Sequence, residues 1–241
     1  MAWLGPKAWD AVRGDRATAA DAPLADQCGD VPDSASRLTL TARDGRALGA
    51  ASVGDKGART TVALRHGASQ TLCDWLSWAD ALAEETGTRV LLFDRRSQGS
   101  SPGDDDLAPE PDDVAAAVAL ARSEGAEEIV LVASSMGNDS TWNALPRIDG
   151  EACGVISISP VVATADIDAL DPSVFPRAVF AIHEDENASI VATAEHLLKR
   201  AAAANAATVA IPVATDDHSL WLVENHDDAE QHVTEGVASC R

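Results

Sequence analysis

Ser135 is the residue whose surroundings best suit nucleophilic chemistry. It stands in Ala133-Ser134-Ser135-Met136-Gly137, directly after the apolar run 129–133 and before a predicted helix. Small residues two before and two after a serine let a strand and a helix pass closely through a sharp turn. The hydroxyl is then exposed at the helix N-terminus, and the next backbone N–H points at the same spot. An ordinary strand-to-helix turn, with Ser134 or Ser135 as the helix cap, fits the five-residue pattern equally well.

The order of the other groups favours the chemical reading. A serine nucleophile needs a base to take its proton and a carboxylate to orient that base. The apolar run 178–182 ends at His183-Glu184-Asp185-Glu186, and the run 208–213 leads into Thr215-Asp216-Asp217-His218. Serine, acid and histidine then follow one another along the chain in an order that such sites use. His218 is the expected base. Asp185 is the expected acid, because the shorter side chain is the usual partner of the imidazole, and Glu186 is the alternative. Among the other histidines, His196 falls inside a helical stretch, and His226 and His232 lie well past the last strand; all three read as solvated surface residues. His66-Gly67-Ala68 follows the run 61–64, where the backbone N–H of Ala68, with that of Met136, could hold a developing oxyanion. No His, Cys or Asp cluster has metal-ligand spacing, and no GxGxxG follows a strand, so neither a metal nor a nucleotide cofactor is expected.

These loops need a scaffold that brings strand ends together. Residues 37–42 and 47–53 flank Asp44-Gly45, a hairpin signal. From there strand-like runs at 61–64, 89–93, 129–133, 154–158, 178–182 and 208–213 alternate with helical stretches at 72–85, 112–123, 188–204 and 220–237. Strands with few polar positions are buried on both faces, which means a parallel sheet covered by helices, the α/β class. Sites in such sheets lie outside the carboxyl ends of the strands. Residues 1–36 are polar and read as a flexible tail, and 37–241 as one domain.

The formal net charge of −21 repels nucleic acid and anionic membranes. No apolar run approaches the roughly 18 residues that a membrane span needs. The partner to expect is a small-molecule substrate. The start of the chain lacks the continuous apolar stretch of a signal peptide, so a cytoplasmic location is expected, or an extracytoplasmic one if a signal has been removed. Cys28, Cys73, Cys153 and Cys240 show no CxxC spacing. Buried thiols are the default reading, with a Cys28–Cys73 bridge as the alternative in an oxidising compartment.

From about Thr61 to Pro160 the chain resembles the α/β-hydrolase superfamily, in particular small bacterial serine hydrolases of the dienelactone-hydrolase and esterase type. Their strand-end loops read His-Gly, Asp-x-Arg-Gly-x-Gly-x-Ser and Gly-x-Ser-Met-Gly-Gly. Here the matching residues are His66-Gly67, then Asp94, Arg96, Gly99 and Ser101, then Ser135-Met136-Gly137. The resemblance implies an eight-stranded, mostly parallel sheet with helices on both faces, a Ser-acid-His triad with a backbone oxyanion hole, and hydrolysis of an ester, thioester or lactone without a cofactor. The Gly-x-x-Asp pattern common after the acid-bearing strand is what puts Glu186 forward. Residues 160–177, where lids are commonly inserted, leave room only for a short loop. The departures are Ser97 for Gly, Ala133 for the first elbow Gly, Asn138-Asp139 after the elbow, and Ser219 after the histidine, where Gly is common. They keep open a second reading, a catalytically degenerate α/β-hydrolase-fold binding protein.

Overall fold

The computed structural model describes residues 20–103 and 106–240. Eight strands form one sheet in the order β1-β2-β4-β3-β5-β6-β7-β8. They are β1 (Ser36–Thr41), β2 (Ala47–Gly54), β3 (Thr60–Arg65), β4 (Arg89–Phe93), β5 (Glu128–Ser134), β6 (Gly154–Ile158), β7 (Ala178–Glu184) and β8 (Ala207–Val213). The hairpin β1–β2 and the pair β2–β4 are antiparallel, and every other pairing is parallel. The expected antiparallel beginning and parallel remainder are both present. The Asp44-Gly45 turn closes as expected, with Gly45 at φ 82°.

Hydrophobic pattern decides the layering. Every residue of β3, β4 and β6 is buried, so these central strands carry helices on both faces. The eight helices among the described residues are α1 (Leu24–Cys28), α2 (Leu72–Thr86), α3 (Glu110–Ser123), α4 (Gly137–Ala144), α5 (Thr164–Ala169), α6 (Ala188–Ala203), α7 (Leu220–Asn225) and α8 (Asp227–Ala238). One core, containing Trp75, Leu76, Ile156, Leu222 and Val233, lies under α2, α7 and α8. A second, containing Ile129, Leu131, Trp142, Val179 and Leu197, lies on the opposite face under α4 and α6.

Three expectations change. Residues 20–35, expected as part of a flexible tail, pack against the domain; the rest of the expected tail, 1–19, lies outside the described residues. Leu24 is buried in the first core, Gln27 Nε2 donates to Asp94 Oδ2 at 2.7 Å, and Cys28 is bridged to Cys73. A second disulfide joins Cys153 to Cys240, so the default of buried thiols fails for all four cysteines. The stretch 220–237, expected as one helix, breaks at His226, where Asp217 Oδ2 takes bonds from Asn225 Nδ2 and His226 Nε2. β8 keeps only Ile211 buried, because it is the edge strand, where Pro212 costs no ladder bond to a further neighbour. Residues 160–177 carry only α5 and a single 3₁₀ turn, Pro172–Val174.

Candidate active site

Ser135 follows β5 directly and sits at φ 50°, left-handed backbone that residues with a Cβ seldom adopt. The turn is held from both sides. Ser135 N–H donates to Ile158 O at 2.9 Å, and Ser135 O accepts from Asn138 N at 3.0 Å. The requirement for Gly137 is steric. A Cβ there would stand 2.5 Å from Arg65 O and 2.6 Å from His66 O, so α4 can approach the end of β3 only through a glycine. Asn138 is fully buried where the family pattern has glycine. Its amide nitrogen lies 3.1–3.2 Å from the carbonyl oxygens of Ala133, Ser135 and Ile158, tying the elbow to the ends of β5 and β6.

His218 bridges the serine and a carboxylate. Its Nε2 is 2.8 Å from Ser135 Oγ, and its Nδ1 is 2.6 Å from Glu184 Oε1. An ionised carboxylate only accepts, so Nδ1 carries the proton and Nε2 is free to accept from the serine hydroxyl. The loop 184–186 therefore supplies a carboxylate, but neither the expected Asp185 nor the alternative Glu186. Both of those are exposed and make no hydrogen bond to His218. The reason is strand length. β7 does not stop with its apolar run at Ile182; His183 and Glu184 stay in register opposite Pro212 and Val213 of β8. Glu184 is thus the last strand residue, at the sheet's carboxyl edge, with its side chain 1% exposed.

The other carboxylate oxygen is also engaged. Ser159, directly after β6, donates to Glu184 Oε2 at 2.7 Å and accepts the backbone N–H of Ser219 at 2.9 Å. Burial raises the Glu184 pKa, but the hydrogen bonds from His218, its own backbone and Ser159 outweigh it, and the carboxyl titrates below its usual range. Ser134, the neighbour of the candidate nucleophile, points away from this chemistry: its Oγ is 2.6 Å from Ser219 Oγ. Sequence reading did not single out Ser159; its place directly after a buried strand was the available signal.

The two N–H groups expected at the oxyanion hole, Ala68 and Met136, donate to no hydrogen bond among the described residues. Gly67 N–H, one residue earlier, is held by Gln70 Oε1 at 3.0 Å, which also accepts from Ser219 Oγ at 3.0 Å. His66 is not a competing base. Burial, followed by the charges of Arg65 and Arg95, lowers its pKa to about 3 against an opposing bond to Gly67 O. Its Nε2 accepts the Arg95 N–H at 3.1 Å, so the ring is a structural link between the ends of β3 and β4.

The Asp94–Ser101 loop braces the site. Asp94 Oδ1 accepts from Leu72 N–H at the start of α2 at 2.7 Å, and Oδ2 accepts from Ser100 N–H at 2.8 Å. Arg95 in this loop is buried. It is 8% exposed and pairs with Glu110 at 2.6 Å, which also holds Arg65 at 2.8 Å. Arg96 grips Asp113 through two bonds of 2.7 Å.

A parallel α/β sheet with a serine at a strand-to-helix elbow, backed by a histidine and a glutamate from later strand ends, defines a serine-hydrolase-type framework. The family model for the alpha/beta hydrolase family matches residues 62–232, and the chain belongs to that family. No curated protein matches it. Among solved structures, the Pyrococcus furiosus esterase Pf2001 superposes with TM-score 0.69 at 16% identity, covering 90% of this chain and 92% of that one. XC6422 from Xanthomonas campestris, described as a serine hydrolase without a lid, gives TM-score 0.65 at 20% identity, covering 85% and 95%. The Pyrobaculum calidifontis esterase gives 0.68 at 14%, covering 90% and 87%.

Proposed function

We propose that this protein is a serine hydrolase that cleaves a small ester, thioester or lactone through an acyl-enzyme on Ser135. The observation that carries this reading is the unbroken hydrogen-bond chain from Ser135 Oγ through His218 to Glu184 Oε1. His218 Nε2 removes the hydroxyl proton as Ser135 Oγ attacks the substrate carbonyl carbon. The N–H groups of Met136 and Ala68 receive the charge that forms on the carbonyl oxygen. The protonated imidazole, steadied by Glu184, then gives its proton to the leaving oxygen or sulfur as that bond breaks. Water, deprotonated by the same nitrogen, attacks the acyl-enzyme; the acid is released and Ser135 regains its proton. Similarity to two proteins described as esterases supports an ester as the substrate. The short 160–177 segment and the lidless neighbour support an open site for a small or protruding group.

Two disulfides and no free cysteine support folding in an oxidising compartment, rather than the cytoplasmic location that the sequence suggested.

Labelling with a fluorophosphonate tests the nucleophile. The wild type should be labelled stoichiometrically and should hydrolyse p-nitrophenyl acetate; Ser135→Ala should do neither while keeping its thermal midpoint. A correctly folded wild type that takes no label and turns over no activated ester leaves a binding protein on this fold as the reading. Retained turnover in Ser135→Ala removes the covalent mechanism.

A further inference from the structure

Beside the elbow lies a cavity of about 330 Å³. It begins at Met136, the residue after the candidate nucleophile, and is walled by Leu107, Val161, Val162 and Ile190. Leu107 and Val161 are two of the three large apolar side chains left exposed among the described residues, so the mouth of the cavity is apolar as well. Among the described residues one charged side chain lines it, Asp139, with Ser189 and Thr193 as the other polar side chains. Met136 and Asp139 are three residues apart at the start of α4, and Asp139 N–H donates to Met136 O at 3.1 Å. That spacing places their side chains on one helix face, roughly 5–6 Å apart. The carboxylate therefore faces the space next to the oxyanion donor.

Asp139 is half-buried and, among the described residues, is paired with no lysine, arginine or histidine. The Ala163 backbone N–H favours its ionised form, and the charges that act on it, those of Asp166 and Glu110, are acidic. Burial first, and those two carboxylates second, raise its pKa. Contrast Glu110 and Asp113, which are tied to Arg65, Arg95 and Arg96. A carboxylate has room for several donors, and this one lines a mainly apolar cavity. A cation placed there would gain a charge-assisted contact in a partly desolvated setting.

We infer that Asp139 makes the site selective for esters whose cavity-filling group carries a positive charge, an ammonium set against its carboxylate. This rests on the reading of Ser135 as nucleophile. A helix-dipole role for an acid in the first turn of α4 would account for stability, but it predicts no substrate preference.

The test compares two matched ester pairs on the full chain: the p-nitrophenyl esters of 4-(trimethylammonio)butanoic and 4-tert-butylbutanoic acids, and acetylcholine against 3,3-dimethylbutyl acetate. The quantity read is the charged-to-neutral ratio of kcat/KM within each variant, so a general loss of activity cancels. The wild type should favour the cation at least roughly tenfold in one pair, within what Coulomb attraction between a quaternary ammonium and a half-buried carboxylate a few ångströms away supplies. Asp139→Asn should bring the ratio to about one, and Asp139→Lys should carry it below one. A wild-type ratio near one in both pairs overturns the inference. So does a preference that survives in Asp139→Asn, because the overall negative charge of the protein would then be its source. Hydrolysis of the neutral esters without any charge preference sinks this inference alone; no hydrolysis of any ester sinks the serine-hydrolase reading itself.

Discussion

Glu184→Gln is the change that weighs the acid assignment most directly. Glutamine keeps the side chain's shape and its bond to Ser159 but removes the charge 2.6 Å from His218 Nδ1. During acylation the imidazole becomes an imidazolium. A unit charge pair about 4 Å apart at an effective dielectric of about 20 is worth about 4 kcal/mol, and each 1.4 kcal/mol or so of barrier is tenfold in rate. The charge alone therefore accounts for roughly a thousandfold in kcat. A glutamine amide pointing its NH2 at Nδ1 would also favour the wrong tautomer, and loss of a triad acid by this route reaches about 10⁴. The expected result is kcat down by roughly 10³–10⁴ with KM little changed. Asp185→Asn and Glu186→Gln alter exposed carboxylates and should stay within a few-fold. All three variants are assayed on p-nitrophenyl acetate at one pH, with thermal melts to confirm folding. A Glu184→Gln enzyme within tenfold of wild type, or a thousandfold loss in Asp185→Asn, refutes the reasoning.

Two further outcomes concern stability. Protein folded under oxidising conditions should show no reactive thiol when denatured without reductant, and each bridge should contribute about 2–4 kcal/mol; replacing Cys153 and Cys240 by Ser should lower the urea midpoint accordingly, and four free thiols in that denatured sample would refute both pairings. His66 should make the fold acid-sensitive. Below about pH 6.5 the unfolded chain protonates this ring while the folded chain does not until about pH 3, so stability is lost as pH falls through that window, at up to about 1.4 kcal/mol per unit. Between pH 7 and 5 the wild type should lose about 2 kcal/mol more than His66→Asn; equal losses in urea titrations would show that the ring is not held neutral.

The sheet was legible because its strands are apolar runs with no competing period. Residues 129–133 and 154–158 read as strands from composition alone, and both lie buried within β5 and β6. Ser135 and His218 were legible because each directly follows such a run or its turn. The acid was misplaced because apolar content marks where a strand is buried, not where its ladder ends. His183 and Glu184 are polar, yet both continue the pairing with β8. Residues 20–35 read as a tail because what fixes them is long-range: a disulfide from Cys28 to Cys73, and the bond from Gln27 Nε2 to Asp94 Oδ2 at 2.7 Å. No local pattern encodes a partner more than forty residues away.

Serines in left-handed backbone recur in the loops at the carboxyl ends of the strands, and two of them, Ser97 and Ser219, are departures from the family pattern. Non-glycine residues with positive φ occur after five of the strands: Ser69 after β3, Ser97 after β4, Ser135 after β5, Ser159 after β6 and Ser219 after β8. Glycine would adopt these conformations without the roughly 1–3 kcal/mol that such backbone costs a larger residue. At three of the five the hydroxyl has a task at the site. Ser135 is the candidate nucleophile. Ser159 Oγ joins Glu184 to the residue following His218. Ser219, at φ 64° and ψ −124°, links Ser134 to Gln70 through its own Oγ, so the loops after β3, β5, β6 and β8 share one buried network. Glycine at 219 would relieve the backbone and leave Ser134 Oγ buried without that partner, at a cost of about 1–3 kcal/mol. The two terms are of one size, so serine there is close to neutral for stability. Its gain is positional: through Ser134 and Gln70 it ties the loop that carries His218 to the elbow that carries Ser135.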